Sequence, residues 1–466
     1  MLSFFRVNAL YHIFTLFLFS VLLRLPVYLN GLPELIPELQ WMLVGERINR
    51  GFLMYAEIWD NTAPLSAMVY AGIDLLFGRS QVAYQIFGLF LTTFQAVYFN
   101  IMLNNRDVFI KRSFLPGLFY VLFLNISFDC CTLSPVLMST TFLLFAFSSL
   151  TKQLKRLETS DEVFEIGFFI ALATLFYPPA CVFLLWVIMA LMFFSGSSFR
   201  QYSLTMFGFI LPILFVSLFF YLKDSSDTYF QNFITSVFQI RQYNLNDFKT
   251  LFSTLLLPLV FGIMGFLRLT NAMGFNNYQI RSQQVMILWV LFAVVSIGLM
   301  PFLAPMQFIV FMPCLAFFTV SFFELYTKKW LAELIFLALM FAILLVNYQA
   351  ILFPNSESFA KLNNLKLKQK SAYDFKKRKI LVLGEGLEEY QNNYSATPYI
   401  NWNLSKHELE GMDNYLHVIN VYKNFEKDPP EVIIDKEKLA IKLFDRIPSI
   451  GSKYKKILPN VYERKY

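Results

Sequence analysis

Long apolar runs separated by short basic links fill the first three quarters of the chain. Runs long enough to form spanning helices cover about 9–29, 81–103, 113–128, 133–150, 163–178, 179–196, 202–222, 250–267, 284–300, 304–325 and 330–350. Lys and Arg favour the cytoplasmic side of a membrane. Arg6, Arg106, Lys111, Arg112, Lys152, Lys155, Arg156, Arg200, Arg268, Arg281, Lys328 and Lys329 all fall on that side if these eleven runs cross and 64–78 does not. The 64–78 stretch is short for a span and carries Asp74, so it reads as a juxtamembrane or half-inserted helix. Pro178–Pro179 ends one helix and begins the next. An odd number of spans puts the tail from about Pro354 outside.

Two polar stretches interrupt the apolar pattern on the outer face, 30–80 and 223–249. The first is the core of the stretch Leu25–Arg79, which has three prolines before Glu38 and is rich in Trp, Tyr, Leu and Ile. That composition predicts a folded loop, since a disordered one lacks bulky apolar residues. In the second, Phe230, Phe233, Val237 and Ile240 share one helical face, the mark of a surface-lying amphipathic helix. The tail alternates strand and helix patterns: a strand at Lys379–Leu383, a helix over 408–426, a strand at Glu431–Asp435 and a helix over 437–445. The expected architecture is an α-helical polytopic membrane protein. It has a transmembrane domain over 1–353, including both outer loops, and a small extracytoplasmic α/β domain over 354–466.

Composition agrees. Of 466 residues, 57% are hydrophobic and 15% charged, and the mean hydropathy is +0.52; soluble domains carry about 25% charged residues. The net charge of +7 sits in short loops and the tail, which speaks for anionic membrane lipid and against nucleic acid. Cys130, Cys131, Cys181 and Cys314 lie in or beside apolar runs and only three histidines are present. No metal-ligand spacing results, and neither a metal nor another cofactor is expected. Gly384 and Gly386 begin a dinucleotide fingerprint, but Glu389 stands at the third glycine and the motif fails.

Candidate chemistry gathers in the outer loops. A carboxylate at the membrane surface can act as a general base, and Glu38, Asp60 and Asp129 are the candidates; Glu34, Glu46 and Glu57 read as solvated loop charges. Arg suits a phosphate because its planar fork offers several donors. Arg47, Arg50 and Arg241 are the outer candidates, with Tyr243, Trp41 and Trp59 beside them as substrate-contacting aromatics. Arg24, inside the first span, is expected to be buried against an acidic loop residue.

The run Arg24-Leu-Pro, Glu38-x-x-Trp41, Gly51-x-x-x-Tyr55-x-x-x-Trp59-Asp60-x-x-x-Pro64-Leu65 and Leu76-Phe77-Gly78-x-Ser80 resembles the first outer loop of GT-C glycosyltransferases. The branch it looks most like is the bacterial relatives of protein O-mannosyltransferases and aminoarabinose transferases. The resemblance implies an inverting membrane glycosyltransferase in a bacterial inner membrane. The enzyme would move a sugar from a polyprenyl-phosphate carrier to a lipid, glycan or protein acceptor on the outer face. It places Glu38 at the position of the family's catalytic acidic residue, usually Asp, and Asp129 at an acidic position found in the second outer loop of some relatives. Two departures stand out: Thr62-Ala63 and Gln307-Phe308 occupy places where relatives often carry a basic residue. A lipid-linked-glycan transporter or flippase and a non-catalytic envelope component are the competing functions.

Overall fold

Each of the eleven apolar runs is a helix in the computed structural model, from Tyr11–Asn30 at the start to Lys329–Leu352 at the end. The structure describes residues 1–30, 34–155, 160–235, 248–272, 274–326, 328–352, 365–367 and 375–465. Among these, seven helices are long and apolar enough to cross a membrane by length and composition: Gln81–Asn105, Pro178–Ser195, Phe199–Leu222, Phe248–Thr270, Asn277–Leu299, Pro305–Glu324 and Lys329–Tyr348. Shorter apolar helices include Tyr11–Pro26, Pro64–Phe77 and Leu115–Leu124. The chain is an integral, multi-pass membrane protein.

By its internal contacts the chain divides into two units. One comprises Met1–Pro33, Gln81–Val216 and Gln239–Leu365; the other comprises Glu34–Ser80, Ser217–Phe238 and Lys366–Tyr466. The first outer loop thus belongs to the same unit as the tail, a grouping that the linear order of the sequence does not suggest.

In the first unit, helices pack through small residues, as expected where lipid supplies no hydrophobic drive between helices. A Cβ on Gly265 would lie 1.9 Å from the Phe318 carbonyl oxygen, and one on Gly167 would lie 2.0 Å from that of Thr205. Only glycine permits either approach. Polar side chains tie helices together: Gln95 donates to the Leu137 carbonyl and to Thr141 Oγ1, both at 2.7 Å, and accepts from Tyr120 at 2.9 Å. The indoles of Trp186 and Trp289 meet edge to face at 5.0 Å. Each indole N–H donates to a carbonyl, of Val285 and Val310 respectively, so neither buried donor is left unsatisfied.

In the second unit, the tail forms a five-stranded sheet. Strands β1 (Lys379–Leu383), β2 (Tyr394–Ser395), β3 (Val432–Asp435), β4 (Tyr454–Leu458) and β5 (Val461–Arg464) lie in the order β2-β1-β3-β5-β4. β1 pairs parallel with β2 and β3, and β5 antiparallel with β3 and β4. β1 and β3 fall where the sequence predicts them. Apart from Lys379 and Asp435 at their ends, their side chains are apolar and buried on both faces, as suits central strands. The expected 408–426 helix is instead two, Trp402–Glu410 and Tyr415–Lys427. Gly411 ends the first, and the Asn414 side chain caps the second by accepting from Leu416 N at 3.0 Å.

Candidate functional site

The 30–80 loop is built on two helices. Ile36–Asn49 starts after extended Leu35 with Pro37 in its first turn, where the missing N–H costs nothing. Pro64–Phe77 starts the same way. The helices cross closely at Gly45, where a Cβ would lie 2.6 Å from the Tyr70 carbonyl oxygen. Trp41 stacks on Tyr70 with ring centroids 5.4 Å apart and planes 9° from parallel. Glu38 lies in the first turn of Ile36–Asn49 and is only 1% exposed. The N-terminal partial charge of a helix attracts an anion at this position.

The chain between the helices is fixed at Tyr55, Trp59 and Asp60. Tyr55 is buried and held at φ +68°, a strained value for a bulky residue. Its hydroxyl donates to the Thr62 carbonyl at 2.8 Å, and its ring packs among Phe220, Tyr229 and Phe233. Asn232 donates to its carbonyl at 3.0 Å. Trp59 sits edge to face with Tyr399 at 5.2 Å and packs on the apolar core of the tail. Its backbone N–H donates to Pro398 O at 2.9 Å, and Asn401 N donates back to its carbonyl at 3.3 Å. Asp60 is fully buried; its carboxylate accepts from Thr62 N at 2.8 Å, from the Thr62 hydroxyl and from Gln40 Nε2. Burial raises its pKa above the usual carboxylate value despite these bonds. The Asp60–Thr62 contact is an Asx-turn, so this carboxylate shapes the loop that precedes Pro64.

Arg47 is 2% exposed, and both terminal nitrogens of its guanidinium are engaged, while its Nε has no hydrogen-bond partner among the described residues. It donates to Asp428 Oδ2 at 2.7 Å, to Ser395 O at 3.0 Å and to Glu57 O at 3.3 Å, and its guanidinium lies 3.9 Å from the Phe52 ring centre. Asp428 also accepts from Lys379 at 2.9 Å and from Thr397 N at 3.1 Å. Burial alone would push Asp428 up, but the bonds from Lys379 and Arg47 outweigh it and hold the carboxyl below its usual value. The expected phosphate ligand is therefore a strut between loop and tail. Trp41 is buried against Tyr70, and Trp59 is half-buried against the tail core.

The expected solvated charges are also engaged. Glu46 is buried and pairs with both Arg50 and Arg79; Glu57 accepts from Leu53 N at 2.6 Å and pairs with Lys427; Glu34 accepts from Gln391 at 2.7 Å. Of the amphipathic face expected in the second outer segment, Phe233 is buried and Phe230 is exposed. Val237, Ile240, Arg241 and Tyr243 lie outside the described residues.

In the first unit, Asp129 occupies a single 3-10 turn, Phe128–Cys131, and is fully buried. Its Oδ2 accepts from Met306 N at 2.7 Å. Burial pushes its pKa up to about 6, against the opposing pull of its hydrogen bonds. The next residue along, Gln307, is buried with its side-chain oxygen unbonded among the described residues. Arg24 is buried as expected, but its described hydrogen bonds go to neutral acceptors, not to an acid: Asn125 Oδ1 at 2.7 Å, Thr92 Oγ1 at 3.0 Å and Cys131 O at 3.1 Å. Among the described residues, no three His, Cys, Asp or Glu side chains form a group that could hold a metal ion.

Sequence reasoning overlooked Arg79, Lys376 and Lys377. With Glu46, Arg50, Asp74, Gly78, Gln391, Asn392 and Tyr394 they line a cavity of about 890 Å³ in the second unit. The run Lys376-Lys377-Arg378-Lys379 was the available signal.

No family model matches the chain, and no curated protein matches it. Solved structures do. The oligosaccharyltransferase of Archaeoglobus fulgidus, in complex with an inhibitory peptide and a dolichol-phosphate, matches at 10% identity and a TM-score of 0.50, over 95% of this chain and 72% of that one. Its apo form matches at 9% identity and a TM-score of 0.50, over 91% and 69%. At such identity the likeness is one of fold alone: the chain shares the overall fold of these two structures.

Proposed function

We propose that the chain is a membrane glycosyltransferase of the GT-C type, crossing a bacterial inner membrane eleven times with its tail extracytoplasmic. It moves a sugar from a polyprenyl-phosphate carrier to a lipid, glycan or protein acceptor on the outer face. The observation that carries this reading is the buried Glu38 at the head of a folded loop helix, in a chain with a GT-C-like fold. Glu38 takes the proton of the acceptor hydroxyl or amine. The acceptor atom then bonds to the anomeric carbon from the face opposite the phosphate, the carbon–oxygen bond to the phosphate breaks, and the electron pair leaves with the phosphate, inverting the centre. Asp60 acts by shaping the loop. Asp129, with a pKa near neutrality, is a second acid–base group, and Arg241 with Tyr243 meets the lipid phosphate.

A second reading, a non-catalytic component of envelope assembly, draws on one observation: Arg47 is consumed by Asp428. One assay separates the two. The purified full chain is incubated with radiolabelled polyprenyl-phosphate sugars and membrane acceptors, with and without Glu38→Gln. A general base contributes about 10²–10⁴ in rate, so the variant should lose about a hundredfold or more. Transfer that survives the substitution removes Glu38 from this role, and no transfer from any donor by the wild type favours the assembly reading.

A further inference from the structure

The 890 Å³ cavity of the second unit contains neither Glu38 nor Asp60 nor Asp129, and its lining is markedly cationic. Arg50 and Arg79 approach it from the C-terminal ends of the two loop helices. They share a single carboxylate, with Arg50 on Glu46 Oε1 and Arg79 on Oε2. Arg50 lies 3.8 Å from the Tyr394 ring centre and Arg79 5.6 Å from it, so one aromatic face holds both guanidiniums in place. Arg79 is fixed further by donating to the Tyr390 carbonyl at 2.7 Å. Lys376 and Lys377, both exposed, add two ammonium groups from a turn held at φ +50° and +65°. The remaining acid, Asp74, accepts from Asn49 at 2.8 Å. Four cations thus face two carboxylates, and both arginines are pre-organised on the wall.

The cavity adjoins an apolar surface. Pro64–Phe77 buries Ser66, Ala67, Tyr70, Ala71 and Ile73 against its neighbour and leaves Met68, Leu75, Leu76 and Phe77 exposed. Met68, Leu75 and Leu76 recur at i, i+7 and i+8, one side of a helix. The exposed end runs straight into Gly78 and Arg79 on the cavity wall. Helices that present one apolar side to lipid lie in the membrane interface, and the cationic lining stands at the end of this one.

We infer that this cavity binds the phosphate headgroup of an anionic membrane phospholipid, with the acyl chains against Met68, Leu75, Leu76 and Phe77 and the phosphate between Arg50, Arg79 and the two lysines. A volume of about 890 Å³ accommodates a headgroup. The apolar helix side selects a lipid over a free phosphate, which would have no use for it. The site is independent of the glycosyl-transfer reading.

The test uses the full chain in detergent with short-chain phosphatidylglycerol, short-chain phosphatidylcholine and inorganic phosphate as separate probes, binding being read by native mass spectrometry. Lys376→Asn with Lys377→Asn removes two charges while suiting the left-handed backbone, where Asn is tolerated. Each basic residue near an anionic surface contributes about 1 kcal/mol, so the double variant should bind phosphatidylglycerol about thirty-fold more weakly, with phosphatidylcholine unchanged. Leu75→Gln with Leu76→Gln should weaken lipid binding without touching the cations. Near-ultraviolet circular dichroism checks that each variant folds. Equal binding of the two lipids, or undiminished binding by the lysine variant, overturns the inference. Inorganic phosphate bound as tightly as phosphatidylglycerol overturns the lipid assignment.

Discussion

The Arg47–Asp428 pair offers the clearest test of how loop and tail depend on one another. Both partners are almost fully buried, at 2% and 4% side-chain exposure, so neither charge can turn to water if the other is removed. Breaking a buried pair by deleting one partner costs about 3–5 kcal/mol, chiefly because a charge is stranded. Arg47→Met keeps most of the side-chain volume. It leaves Asp428 with Lys379 and Thr397 N, while the Ser395 and Glu57 carbonyls lose a donor. It should fall at the lower end, about 3 kcal/mol. Asp428→Asn strands the guanidinium with two carbonyls and one aromatic ring and should fall at the upper end. The double variant Arg47→Met/Asp428→Leu should cost less than the sum by about 2 kcal/mol or more, the signature of direct coupling. Denaturant unfolding in detergent, followed by tryptophan fluorescence, reports it, since Trp59 and Trp402 pack on the tail core. The folded-state pKa of Asp428 is depressed. Its contribution is therefore present above the unfolded value of about 3.9 and is lost as pH falls through the folded one, so the Asp428→Asn difference should shrink in acid. If both single variants stay within about 0.5 kcal/mol of wild type while donor binding collapses, Arg47 is a phosphate ligand and the strut assignment is wrong.

Further outcomes follow from other contacts. Asp129 has its folded pKa raised to about 6, so wild-type stability is greatest below the unfolded value and falls as pH rises through 6. Asp129→Asn keeps an acceptor for Met306 N without this slope. The two should diverge by about 3 kcal/mol between pH 4 and pH 8, at about 1.36 kcal/mol per pKa unit, in thermal melts; parallel profiles would contradict the burial argument. Gly265→Val drives a side chain into the Phe318 carbonyl and should cost about 1–3 kcal/mol or more. Gly298→Ala, with nothing within 4 Å, serves as the control and should be neutral by the same unfolding measurement.

The membrane part of the fold was legible because its signal is local. Apolar runs of spanning length become helices whatever their neighbours do, and the 81–103 run emerges as Gln81–Asn105. The same holds for β1 and β3, where continuous β-branched and Leu residues leave little choice. The β4–β5 hairpin was missed because Tyr454–Leu458 carries exposed lysines and Val461–Arg464 ends in half-buried Glu and Arg, a pattern that an edge pair tolerates and a sequence window reads as loop. The candidate site was half legible. Glu38 and Asp60 stood out as acids in a folded loop, but the roles of Arg47, Trp59 and Glu46 depend on partners that no window contains. An arginine that grips a carboxylate 381 positions away looks, in sequence, the same as one that awaits a ligand.

That separation has a consequence for biogenesis. Synthesis at about 5–20 residues per second exposes Arg47, Trp59 and Glu57 roughly 20–75 s before Asp428, Pro398 and Lys427 exist to meet them. During that interval the nascent loop holds an unpaired guanidinium and a bare indole. Its completion waits on synthesis of the tail. Clipping the tail from the gene would therefore remove more than a domain: it would leave the Glu38 loop permanently in its unfinished state.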